Sequence, residues 1–104
     1  PAAEYEFHHP LIHAVAYESQ LKSGRAQLHR RVAAAIQERA PESVEENAAL
    51  IAEHLQSAGE LRAAYDWHMR AGAWLANRDI GAARISWERA RQIADALPSE
   101  VPDQ

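Results

Sequence analysis

The sequence predicts an all-α fold of about five helices in antiparallel hairpins, and three observations carry it. Residues 61–77 show two apolar stripes at 3.6 residues per turn: Leu61, Ala64, His68, Ala71 and Leu75 on one, Trp67, Ala71 and Trp74 on the other. The segments on either side repeat small and apolar residues at helical spacing, Ala48, Ile51, Ala52, Leu55 and Ala58 before it and Ile80, Ala83, Trp87, Ala90, Ala94 and Leu97 after it. The breaks between them, Ser57-Ala58-Gly59-Glu60 and Asn77-Arg78-Asp79, are short enough to turn successive helices antiparallel. A surface helix buries one stripe, whereas a helix with two needs a neighbour on each side. Residues 61–77 are therefore expected at the centre.

Taken in order, residues 1–9 are expected to form an extended arm. Glu4-Tyr5-Glu6-Phe7-His8 alternates like a strand whose partners are missing. Pro10 suits the first turn of a helix, where its missing N–H costs nothing. That helix is expected to reach about Gln20 with Leu11, Ile12, Val15, Ala16 and Tyr17 inward, and Ser23-Gly24 to break it. A second helix over residues 24–39 places Leu28, Val32, Ala35 and Ile36 inward and a basic face of Lys22, Arg25, Arg30, Arg31 and Arg39 outward. Pro41 ends it, since the residue before a proline is pushed out of the helical region. Ser43 with Glu46 three residues on reads as a capping box for the third helix, and Glu45 and Glu46 complement its dipole. Pro98 closes the fifth helix, and residues 98–104 are expected to be a disordered tail.

The spacing within the last three helices is more particular. Trp67, Ala71 and Trp74, then Ala83, Trp87 and Ala90, set a small residue four after one aromatic and three before the next, and then the reverse. This resembles the tetratricopeptide repeat, in which small residues sit where helices cross closely and aromatics fill the grooves beside them. The same register shifted back 19 residues fits Ala48, Ala52, Leu55, Ala64, His68 and Ala71 less well. Arg70 stands where the repeat prefers leucine, and Asp95 where it often has proline. The resemblance implies a TPR-like right-handed helical array over residues 10–97, built from about one and a half degenerate repeats.

Composition bounds the function. At 104 residues, 47% of them apolar and 25% charged, the chain is one globular domain with a modest core. Without cysteine, neither a disulfide framework nor a thiolate metal site is available. No apolar run approaches the length of a membrane span, and no signal-peptide pattern opens the chain. The opening Pro1-Ala2-Ala3, in place of methionine, suggests a piece of a longer protein. Residues 1–40 hold five Lys/Arg against four Asp/Glu, and residues 41–104 hold six against eleven. An acidic helical half argues against nucleic acid as the main partner, because phosphate contacts need clustered cations.

A second resemblance lies in the first forty residues. Phe7, His9, Leu11, Ile12 and Tyr17, followed by Arg25, Leu28-His29-Arg30 and Val32-Ala33, give F-x-H-x-L-I-x-x-x-x-Y and then R-x-x-L-H-R-x-V-A. This is similar to the end of the winged-helix region in bacterial signal-transduction ATPases. These large proteins join an AAA/STAND-type ATPase module to a LuxR-type DNA-binding domain or a class III adenylate cyclase domain, with TPR-like helices after the ATPase region. The resemblance implies that residues 1–9 are the remnant of an upstream winged-helix/ATPase module. It implies a cytoplasmic parent that binds ATP and ADP. It also places His9 where related ATPases carry a His-Asp-Leu motif whose histidine senses the phosphate of ADP. Pro10 replaces that aspartate. The chain itself carries no glycine-rich phosphate loop, so no cofactor is expected on it.

Other candidates are weighed against plain packing. His9 and His13 stand at i, i+4 beside His8, but no third ligand follows at metal-site spacing, so no metal is expected. His29 and His68 lie on apolar faces, where a hydrogen-bonded core histidine is the usual explanation. Trp67 and Trp74, with Arg30 and Arg31 on the basic face, are the candidate interaction residues, with core packing the stronger reading for the tryptophans. The serines lack a glycine-rich elbow, so no catalytic residue is expected. The expected role is a non-catalytic scaffold in such an ATPase, contacting other domains of the parent, with no membrane partner and a homodimer left open. The alternative is a free-standing adaptor that binds a protein or peptide in the concavity of the last three helices. A third reading has the basic second helix on DNA.

Overall fold

A computed structural model describes the backbone of residues 10–98 and the side chains of residues 18–98. Within that span the chain is all-helical. Helix α1 runs Pro10–Arg39, a short 3-10 turn covers Pro41–Ser43, and α2 (Ala48–Ser57), α3 (Leu61–Leu75) and α4 (Ile80–Ala96) follow. No strand occurs among the described residues. Each helix packs on the next in sequence, so α3 has α2 on one side and α4 on the other, as its two stripes require. The arm expected over residues 1–9, with His8 and His9, and the tail beyond Pro98 lie outside the described residues.

Four α-helices stand where about five were expected, because α1 passes through Ser23-Gly24 without a break. Gly24 keeps a negative φ, and only Gly59 among the described residues has a positive one. A glycine in a helix interior costs about 1 kcal/mol relative to alanine. The helix formers on both sides, from Gln20 to Lys22 and from Arg25 to Gln27, carry it through. The docked face of α1 keeps Val32 and Ile36 of the expected one and loses Leu28 and Ala35. Ala33 is buried, with Ala26, His29, Val32 and Ile36 half-buried around it, while Leu28 is 57% exposed and Ala35 is exposed. The buried residue at the centre of this face, Ala33, is small and lets α1 approach α2 closely.

The capping box does not form. Ser43 is the last residue of the 3-10 turn, and Asn47 precedes α2 without a side-chain cap. The Ser43 carbonyl instead accepts the backbone N–H of Asn47 at 3.0 Å and its side-chain amide at 3.1 Å. The α2–α3 turn is a Schellman motif. Gly59, at φ 84°, donates to the Gln56 carbonyl at 3.0 Å, and Glu60 N–H reaches back to Leu55 at 2.9 Å. Asp79 caps α4 by accepting the Ala82 N–H at 3.1 Å.

Among the described residues, the buried apolar ones are alanines except for Ile51 and Ile93. Ala64, His68 and Ala71 of α3 are buried as expected, and Leu61, Trp67, Trp74 and Leu75 are half-buried. On α4 the buried face is Ala83, Ser86, Ala90 and Ile93. Ile80, Trp87 and Ala94, expected inward, are rotated out. Trp87 shows why. Its indole lies on the α3 backbone at Gly72, where an added Cβ would fall 2.8 Å from Cε2 and nearer still to Nε1 and Cδ1. The side chain as a whole is still 37% exposed.

Candidate interaction site

With α3 as floor and α2 and α4 as walls, the three helices enclose a cleft of about 160 Å³. Ala49 and Glu53 line it from α2, His68 and Leu75 from α3, and Ile85, Ser86 and Arg89 from α4. The helical period places them: Glu53 is one turn after Ala49, and Arg89 is one turn after Ile85. Glu53 and Arg89 face each other at 3.9 Å, too far for a hydrogen bond, with both side chains about half exposed. Ile85 is 59% exposed at the rim. Nothing in the described chain covers the mouth.

Ser86 and His68 are both buried polar residues of the cleft lining, and His68 is 2% exposed. Its Nε2 lies 3.0 Å from the Gln56 side-chain oxygen, to which a neutral ring donates. Nδ1 is then an acceptor, buried and without a hydrogen-bond partner. Burial holds the imidazole below its ordinary titration range, Arg89 pushes it further down, and Glu53 works against both. The chemistry available is that of a neutral acceptor beside a loosely paired carboxylate and guanidinium. No group of three or more metal-binding side chains occurs among the described residues.

The sequence candidates fall in two places. Trp67 and Trp74 lie one above the other on α3, each under an arginine: Arg70 sits 4.0 Å from the centroid of Trp67, and Arg78 sits 4.1 Å from that of Trp74. Arg70 also pairs with Glu45 of the α1–α2 connection. Both tryptophans are thus half in the packing and half under guanidinium. Arg30 is on α1, tied to Glu60 at 3.2 Å and to the Ala58 carbonyl at 3.4 Å, while Arg31 is exposed. His9 falls outside the described residues, and His13 lies in α1 with its side chain undescribed.

Between α1 and α2 is a contact that sequence reasoning missed. His29 Nδ1 lies 2.9 Å from His54 Nδ1, with ring centroids 5.1 Å apart and planes inclined by 35°. His68 is buried, as expected of a core histidine, whereas His29 is only half-buried, and nothing in the sequence pairs His29 with a residue 25 positions on. Gly72 was missed too, although a glycine inside a helix between two tryptophans signals close approach. No family model matches the chain, and neither a curated protein nor a solved structure matches it.

Proposed function

We propose that the chain is a non-catalytic helical scaffold that contacts its partners through the α2–α3–α4 cleft. In this reading it is a TPR-like right-handed array, the relay segment of a signal-transduction ATPase linked to transcription regulation or cyclic AMP synthesis. The observation that carries it is the open cleft on the central helix, with Ile85 exposed at its rim and a buried acceptor, His68, in its lining. The sequence pattern of residues 7–33 supplies the ATPase connection. ATP and ADP belong to the parent, and the cytoplasm follows from the same resemblance. Among the described residues no helix is long and apolar enough to cross a membrane.

The test is a titration of the isotope-labelled chain with the ATPase module of its own reading frame. Amides of Glu53, His68, Ala82 and Ile85 are expected to shift, and Ile85→Glu to weaken binding by about tenfold or more, as loss of an apolar anchor does. No shift in these amides contradicts the reading. The alternative, a free-standing adaptor, draws on the cleft volume, which suits one partner side chain, and it predicts binding of a peptide in trans. An ATPase module in the same reading frame decides between the two. DNA binding by α1 is disfavoured because Arg30 is engaged by Glu60.

A further inference from the structure

We infer that His29 and His54 form a proton-counting latch that opens the α1–α2 joint when both rings become charged. The geometry leads there directly. An imidazole nitrogen lies about 1.1 Å from its ring centre, so two rings meeting head-on across 2.9 Å have centroids about 5.1 Å apart, which is the separation observed. Two nitrogens on one metal ion at right angles would bring the centroids to about 4.5 Å. The lone pairs therefore point at each other and not at a common third atom. Such a contact holds one proton: one Nδ1–H donates and the other Nδ1 accepts.

Proton number then decides the state of the joint. With both rings neutral, one donates to the other. One added proton gives an imidazolium donating to a neutral imidazole, a charge-assisted bond that tightens the contact. A second proton leaves two N–H groups head-on and two like charges a few ångströms apart, with no acceptor between them.

The surrounding charges do not absorb the second one. On α1, Arg25 stands one turn before His29 and Arg30 directly after it in sequence, and on α3 the charges nearest the turn are the exposed Arg62 and Asp66. On α2, Glu53 precedes His54 and is turned to Arg89 of α4 at 3.9 Å. At the α2–α3 turn, Glu60 is held by Arg30 at 3.2 Å. Because α1 packs on α2 and the 3-10 turn and not extensively on α3 or α4, the repulsion acts on the seam that holds α1 to the array.

The chain has no cysteine, so two can be introduced cleanly for spin labels: Gln27→Cys on α1 and Asp66→Cys on α3, both at exposed positions. Label-to-label distances are measured at pH 7.5 and 5.0, with circular dichroism at each pH. A separated population is expected to rise about tenfold or more at pH 5.0 with helicity retained. It should be absent when His29→Leu and His54→Leu are combined, since an apolar pair takes no proton. If that variant does not fold, His29→Gln serves as the second variant, removing one of the two charges while keeping a polar side chain. Three outcomes overturn the latch: distances unchanged between the two pH values, opening that persists in the variants, or helicity lost together with the distance change. The last would place the transition in the whole domain, where His68 titrates. None of these results depends on the partner proposed above.

Discussion

The indole of Trp87 lies against the α3 backbone at Gly72, so closely that the position has no room for a methyl group. The rest of that face of α4, Ile80 and Ala94, is exposed, and Ala83, Ser86, Ala90 and Ile93 form the buried face.

Two glycine-to-alanine changes should therefore have opposite signs. Gly72→Ala must displace the indole, and overpacking of this kind costs about 1–3 kcal/mol. Gly24 has nothing within 4 Å of an added Cβ and a helical backbone. Gly24→Ala should stabilise by about 0.4–1 kcal/mol through the unfolded chain. Thermal melts check this, at roughly 4–8 °C per kcal/mol for a domain of this size. Equal shifts of the same sign contradict the packing described.

Ala71 is 1% exposed and belongs to both stripes of α3. Ala71→Leu should cost about 1–3 kcal/mol by the same overpacking. The control is Ala73→Leu, on the exposed side of α3, expected within about 0.5 kcal/mol of the parent. Ala63, which the stripes alone place in solvent, is half-buried and unsuitable as a control.

His68 predicts an acid limit. Its folded titration point lies below the ordinary 6.5, with burial as the main cause. Below that pH the unfolded chain takes up the proton more readily than the folded one. The folded state therefore has its full stability above about pH 6.5 and loses it as pH falls towards the folded value. His68→Gln removes the titration. The stability gap between parent and variant, measured by urea unfolding from pH 7.5 to 5.0, should narrow as pH falls. A gap independent of pH contradicts a neutral His68.

The chain alone should not turn over ATP. Phosphate release from ATP above that of a heat-inactivated control would overturn the non-catalytic reading.

What the sequence shows and what it hides follow from range. The helices, the sandwiched place of α3 and the buried His68 were legible, because periodicity and short breaks are local. The continuity of α1 was not: the local breaker signal at Ser23-Gly24 is overridden by helix formers on both sides. The capping box failed for a similar reason, as Pro41 nucleates a 3-10 turn that takes Ser43 first. The cleft, the His29–His54 contact and the approach of Trp87 to Gly72 all depend on distances between helices. No periodicity encodes those distances.

The central claim is that α3 organises the array, and native-state amide exchange tests it most directly. Amides of Ala64, His68 and Ala71, on a helix packed on both faces, should open only with an energy near that of global unfolding. Those of Leu21 to Arg25 on α1, where every side chain is exposed, should exchange far sooner through local opening. Exchange from the middle of α3 as fast as from this stretch of α1 would contradict the account.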